Sequence, residues 1–494
     1  MEVRSILLYM FIGVSNRDPR NRIFGTSIHT LDDDSLLNIL DLYQPTLLDN
    51  DEYQDDDRRI LQGGEWDRER WWCNLTHVCR RWRYLIRGSA SCLGLGLICT
   101  YGTPVADMLA HSPPLPLIID YIDLDREITA EDEQGLTVAL QHRDRVRRIR
   151  LWMSVLALRK FIRIIDNEFP KLEYLYIRPA INDNVGLMPF KKIKAPNLHH
   201  LVLFNFAFPI GSPLLITAVG LVTLSLQRIP RSAHFHPNDL LQRLALMAQL
   251  EVLGIDFRSP VPNLGVVSSI MTHVTLPNLR WFGFCGVIAY LEALLSRMTT
   301  PFLEKLQIEF PDQPTFSVPH LPEFISTAMN LNFSSAASAR MGFSPWGVWV
   351  RVYSHAGAKM YSLDITVRRE HLNRQVTSTA QIFSPLGAVF SCVEGLSLER
   401  RRHSLAESSE RNNEADRAQW RELLRSFSNV KTLRVDDGLV TQLSDSLRLD
   451  DGELPLDLLP DLKELSCPAG GGEAFMAFID ARQKAGHPIT LHRL

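Results

Sequence analysis

The feature that most constrains the fold is a spacing, apolar-x-x-apolar-x-apolar, that returns along most of the chain. It reads Val146-Ile149-Leu151, Leu172-Leu175-Ile177, Leu198-Leu201-Leu203, Leu221-Leu224-Leu226, Leu250-Leu253-Ile255, Leu279-Phe282-Phe284 and Leu303-Leu306-Ile308. Successive starts lie 26, 26, 23, 29, 29 and 24 residues apart. Later copies are Met360-Leu363-Ile365, Val393-Leu396-Leu398, Val430-Leu433-Val435 and Leu462-Leu465-Cys467. A period of about 20–29 residues suits one short strand plus one helix. Proline stands two residues before the first apolar position at Pro170, Pro196, Pro277, Pro301 and Pro460. Helical spacing precedes several copies, as in Leu158-Phe161-Ile162-Ile165, Leu240-Leu241-Leu244-Met247, Leu291-Leu294-Leu295-Met298 and Leu423-Leu424-Phe427. Offsets of three and four set each group on one helix face, and proline then biases the chain toward extended structure. A single unit cannot bury its own apolar positions, so neighbouring units must stack.

The residues between the apolar positions face away from the helices. Among them are Glu173, Tyr174, Tyr176, His199, His200, Glu251, Asp256, Arg280, Trp281, Lys305 and Gln307. Tyr174, Tyr176, His200, Arg280 and Trp281 are the candidate partner-binding set, because aromatic and Arg side chains dominate binding hot spots. Two stretches break the period. Residues near 310–358 are irregular, with a hairpin expected over Arg340–Tyr353 around Pro345-Trp346-Gly347. Residues near 399–418 are charged and read as a loop or an extended helix start.

Apolar content of 45% and a formal charge of -3 describe a globular chain without the cationic surplus that nucleic acid demands. Seven scattered cysteines form no disulfide framework and read as reduced thiols. A cytoplasmic or nuclear setting follows, with no membrane partner. The apolar run Ile6–Ile12 is far shorter than the about 20 residues of a bilayer span. Residues 1–26 read as a leader or disordered tail, with a secretory signal as the alternative.

Residues 27–90 read as a helical module carrying an acidic insertion at about 45–66. Leu31, Leu36, Leu37, Ile39 and Leu40 crowd one short helix, with Thr30 or Asp32 as its cap. From Trp66 to Arg87 apolar residues return at helical spacing. The segment Leu75-Thr76-His77-Val78-Cys79-Arg80-Arg81-Trp82-Arg83 resembles the second half of an F-box, whose usual form is V-C-x-x-W-R/K. With Leu31–Leu40 it resembles a complete F-box split by an insertion, and Asp32 stands where the family has proline. Leu97-Ile98-Cys99-Thr100 and Thr103-Pro104-Val105, leading to Pro113-Pro114-Leu115-Pro116-Leu117, resemble a large fungal, mushroom-type F-box family with repeat-type C-terminal regions.

The resemblance implies an α/β chain: a small helical F-box, then an irregular right-handed leucine-rich-repeat-like solenoid over residues 91–494. The asparagine that such repeats place after the last apolar position is replaced here by Ala180, Phe206, Ile229 and Arg258. The resemblance further implies the substrate-recognition subunit of a Skp–cullin–F-box E3 ubiquitin ligase. Leu31, Leu36, Leu37, Ile39, Leu40, Val78, Cys79 and Trp82 would meet the Skp adaptor, and through it a cullin. The repeats would hold a substrate protein. A non-catalytic interaction scaffold with a diverged F-box is the alternative.

No enzyme chemistry is expected. GxxxxGK[ST], HExxH and GxSxG are absent. Gly470-Gly471-Gly472 reads as a turn rather than a phosphate cap. Cys73, His77 and Cys79, on one expected helix, lack zinc spacing and read as core thiols, so no metal or cofactor is implied. His199-His200 reads as a surface pair. Arg143, Arg145, Arg147, Arg148 and Arg150 read as solvated charge, with docking of an acidic segment as the sharper alternative.

Overall fold

The computed structural model describes residues 31–42, 71–89, 93, 95–112, 114–122, 126–180, 190–257, 272–311, 313, 315–328, 337–356, 359–400, 414–449 and 453–493. The expected leader (1–26), the acidic insertion (45–66), Arg258 and residues 401–413 of the charged stretch lie outside them. The chain divides into two compact units, Met1–Leu97 and Ile98–Leu494.

The first unit holds α1 (Asp33–Leu42), α2 (Trp71–Thr76) and α3 (Arg80–Gly88). Asp32 caps α1: its carboxylate accepts from Ser35 N at 2.7 Å and Ser35 Oγ at 3.1 Å. These bonds hold its carboxyl below the usual range. The single helix expected from Trp66 to Arg87 is two. The chain leaves helical geometry at His77–Cys79, and Cys79 adopts extended angles (φ -158°, ψ 173°) so that its Sγ accepts from Trp82 N at 3.5 Å. A local cap here outcompetes one more helical turn, so Cys73, His77 and Cys79 do not share a helix.

The second unit, whose first strand begins at the boundary residue Leu97, alternates strands and helices. Its elements are β1 (Leu97–Cys99), α4 (Val105–His111), β2 (Leu117–Ile122), α5 (Ala130–Gln141), β3 (Val146–Met153), α6 (Val155–Ile165), β4 (Tyr174–Pro179), β5 (His200–Phe204), α7 (Pro213–Thr217), β6 (Thr223–Ile229) and α8 (Pro237–Leu244). Next come β7 (Val252–Phe257), β8 (Val274–Thr275), β9 (Trp281–Cys285), α9 (Ile288–Leu295), β10 (Met298–Thr299), β11 (Lys305–Phe310), α10 (Leu321–Ala328), β12 (Ala337–Ser344), β13 (Gly347–Ala356) and β14 (Lys359–Val367). The last are α11 (Leu372–Phe383), α12 (Gly387–Phe390), β15 (Val393–Arg400), α13 (Glu414–Arg425), β16 (Thr432–Val435), α14 (Val440–Leu447), β17 (Glu464–Cys467), α15 (Met476–Lys484) and β18 (Thr490–Arg493). The result is a mixed α/β architecture with one large, mostly parallel sheet.

The repeat explains that sheet. Side chains alternate along a strand, so the second and third apolar positions share one face. In successive strands the second position falls in one register line: Ile119, Ile149, Leu175, Leu201, Leu224, Leu253, Phe282 and Leu306. Each is fully buried, contributing about 1.5–3 kcal/mol relative to exposure. Leu363, Val352, Ala339, Leu396, Leu433 and Leu465 continue the line.

The prolines have a more specific role than ending helices. Leu172, Leu198, Leu279, Leu303 and Leu462 each donate a backbone N–H three residues back, to Phe169, Ala195, Leu276, Thr300 and Leu459. Each proline is therefore the second residue of a β-turn, where its fixed φ is already correct. Side-chain amides then bridge neighbouring units. Asn197 donates to Pro170 O at 2.7 Å, Asn278 to Ala248 O at 3.0 Å and Asn429 to Ser391 O at 2.6 Å.

The expected hairpin is present. β12 and β13 pair antiparallel with Ser344 opposite Gly347. Only glycine fits position 347, since a Cβ there would lie 2.4 Å from Val367 O. The placement of the hairpin was not expected. After β11 the sheet order is β14-β13-β12-β15, so a three-strand meander is laid in backwards. β14 runs parallel to β11, β12 parallel to β15, and β13 antiparallel between them. Tight hairpin connections force antiparallel neighbours, whereas each parallel step needs a longer crossover.

Candidate functional site

In the first unit the expected adaptor-facing residues divide by burial. Leu36, Leu40 and Trp82 are buried together with Leu85 and Ile86, as the core where α1 meets α3. Arg81 ties the same two helices: its guanidinium pairs with Asp33 at 2.6 Å and donates to Leu31 O at 2.5 Å. Leu31, Leu37, Ile39 and Cys79 are half-buried. Val78 is 41% exposed, and two residues that sequence reasoning passed over, Leu42 and Tyr84, are 82% and 80% exposed. Exposed apolar side chains on so small a module are the groups available to a partner. Leu36, Leu40 and Trp82 support that surface from beneath.

In the second unit the face opposite the apolar register carries Arg148, Arg150 and Trp152 from β3 and Tyr174, Tyr176 and Arg178 from β4. His200, Val202 and Phe204 follow from β5, and Thr223, Ser225 and Gln227 from β6. The expected trio Tyr174, Tyr176 and His200 does come together there. The Tyr174 and His200 rings lie 5.6 Å apart, and His200 Nδ1 is 3.0 Å from Thr223 Oγ1. Tyr176 is buried, which pushes its phenol up to about 12, against the nearby Arg178. Trp281 falls in the same row but three strands beyond His200, roughly 14 Å at the usual strand spacing. Its ring occupies the space beside Gly283, where a Cβ would stand 2.3 Å from it. Arg280 precedes β9, is exposed, and pairs with Glu304 at 3.2 Å.

The basic run on β3 is not uniformly solvated. Arg145 donates to Leu115 O, and Arg147 pairs with Glu173 at 2.6 Å. Arg150 forms a buried pair with Asp120 at 3.2 Å. Arg148 lies over the Tyr174 ring at 4.6 Å. Arg178 sits between two rings, 4.3 Å from Trp152 and 4.7 Å from Phe204. Trp152, Arg178 and Phe204 escaped the sequence reading because each stands one residue past its repeat motif. Extending the strand alternation by one step finds them.

A second outward row joins Asp256, Cys285 and Glu309 on β7, β9 and β11. Burial raises the Asp256 carboxyl against hydrogen bonds from the Cys285 thiol and the Arg228 N–H. Burial, with Asp256 and Glu309 beside it, pushes the Cys285 thiol far up. Arg368 pairs with Glu309. Burial likewise lifts Cys99 to about 12 and Cys392 to about 11, which leaves these thiols poor nucleophiles near neutrality. Among the described residues no group of three or more His, Cys, Asp or Glu could hold a metal ion, and no helix is long and apolar enough to cross a membrane. No protein-family model and no curated protein matches the chain.

Proposed function

We propose that the chain is the substrate-recognition subunit of a Skp–cullin–F-box ubiquitin ligase. The F-box-like module of residues 27–90 meets the adaptor, and a leucine-rich-repeat-like array over the rest holds the substrate protein. The chain does no chemistry of its own. It raises the local concentration of substrate beside the ubiquitin-loaded enzyme. The observation that carries this reading is the helical module that completes its own core with Leu36, Leu40, Trp82, Leu85 and Ile86 yet exposes Leu42, Val78 and Tyr84. It stands in the same chain as a stack of strand-and-helix units. Asp32 in the family's proline position is compatible with an intact first helix, because it supplies the cap.

Co-purification of the full chain with recombinant Skp adaptor tests the reading. The wild type is expected to bind, and Val78→Asp with Tyr84→Asp to abolish binding while far-ultraviolet circular dichroism stays unchanged. Exposed positions suit this test because Leu36→Asp would bury a charge in the module's own core and unfold it. A folded wild type that captures no adaptor would instead support the interaction scaffold with a diverged F-box.

A further inference from the structure

We infer that the strand-start edge beside α6 is the docking surface for an acidic segment of the partner protein. This rests on the proposal that the second unit holds a substrate protein, and it names that protein's chemistry and where it is met. The outward face of β3–β6 is ill suited to the task, since none of its side chains is exposed. The accessible cations of these units stand where the strands begin. Arg159 and Arg163 lie on α6, Lys171 in the turn before β4, and Lys191, Lys192 and Lys194 in the segment before β5, and all six are exposed.

The backbone brings these cations together. One carboxylate oxygen of Asp166, just past the end of α6, accepts the N–H groups of Lys191, Lys192 and Ile193 at 2.9, 2.7 and 3.0 Å. Lys194 N donates to Asn167 O, and Lys194 O accepts from Phe169 N. Asn197 then reaches Pro170 O. The lysine segment is therefore laid along residues 166–170, between the end of α6 and Lys171. Phe190 and Ile193 are fully buried and anchor it. Among the described residues no carboxylate forms an ion pair with any of the six cations, unlike Lys160 on the same helix, which Glu133 holds at 2.8 Å. Like charges gathered without counter-ions raise the local potential, and an incoming carboxylate lowers it. Two observations favour a peptide over nucleic acid. Asp166 and Glu168 stand among the cations, so an unbroken phosphate backbone would have to pass them, whereas a peptide can space its charges. Leu156, 72% exposed, shares a face of α6 with Arg159 and Arg163. It offers an apolar contact that a partner side chain can use and a phosphate cannot.

The test uses the full chain and a fluorescein-labelled octaglutamate peptide, read by fluorescence polarisation. Octaglutamine and a short duplex DNA serve as parallel probes. Octaglutamate is expected to bind at about 50 mM salt and to weaken on raising salt to about 200 mM. Lys191→Ala, Lys192→Ala and Lys194→Ala combined should weaken it roughly tenfold. The same three positions changed to Arg keep the charge and should bind as the wild type does. Lys463→Ala with Lys484→Ala, exposed lysines elsewhere on the second unit, should leave binding unchanged. An unchanged urea midpoint for the triple variant guards against a folding artefact, since only exposed side chains are removed and the backbone bonds to Asp166 persist. The inference is overturned if octaglutamate binds no better than octaglutamine, if the Lys463 and Lys484 changes weaken it as much as the triple variant does, or if duplex DNA binds more tightly than the peptide. Adaptor co-purification probes the first unit alone, so failure there and failure here are separate results.

Discussion

Asp132 illustrates how one carboxylate organises a helix start in this chain. It stands third in α5, where Thr129 Oγ accepts from Asp132 N at 3.1 Å. The carboxylate in turn accepts from Thr129 N at 3.2 Å, Thr129 Oγ at 2.8 Å and Gly102 N at 2.7 Å. Burial raises its carboxyl, but these donors and Arg126 outweigh burial and leave it below the ordinary value. A depressed native pKa contributes stability above the unfolded-state value, about 3.9. That contribution disappears as pH falls through the native value. Asp132→Asn is thus expected to cost about 1–2 kcal/mol at pH 7 in urea denaturation. The gap between variant and wild type should close in strong acid; a gap that stays constant with pH would assign the effect to shape rather than charge. Asp256 has the opposite sign. Its raised carboxyl means that its contribution falls as pH rises, so it does not add to acid sensitivity.

At the scale of the element, proline β-turns close five of the units, and Asn197, Asn278 and Asn429 tie neighbouring units together. The turns are legible as proline two residues before the strand. The bridging asparagines are not legible in the repeat spacing, because Asn197, Asn278 and Asn429 stand before their strands and not after them. Asn278 reaches back to Ala248 O. Its bond is exposed, so water competes for both partners. Asn278→Ala should cost about 0.5–1.5 kcal/mol, read as a lower urea midpoint with an unchanged slope. A loss several times larger would mean that the amide carries a buried connection. The same reasoning separates α2 from α3. Helical periodicity runs through Val78, yet Cys79 as a cap ends one helix and begins the next, because a cap's hydrogen bond is local and leaves no trace in the periodicity.

For the whole molecule, the sheet is a nearly one-dimensional array in which each strand contacts only its neighbours. Among the described residues β18 pairs only with β17, and Thr490, His492 and Arg493 are exposed, so its other edge is unpaired there. β14, nine residues long, is paired on both sides. Hydrogen exchange followed by mass spectrometry should show residues 488–493 exchanging much faster than 360–367. Equal protection would mean that the β18 edge is covered. The sequence by itself determined the repeating unit: an apolar spacing needs only that strands alternate and that leucines leave water, both local or additive effects. It also determined the helical module and its apolar positions. Tertiary structure alone decided three things. It laid the β12–β14 meander in reverse, since strand order depends on which edge a hairpin reaches first, not on its own residues. It chose which of Leu36, Leu40, Val78 and Trp82 are core and which are surface, since one periodic pattern suits either until the facing helix is in place. And it gathered Arg148, Arg178, Trp152 and Phe204 on one face, because residues 26 apart become neighbours only through the register of the stacked strands.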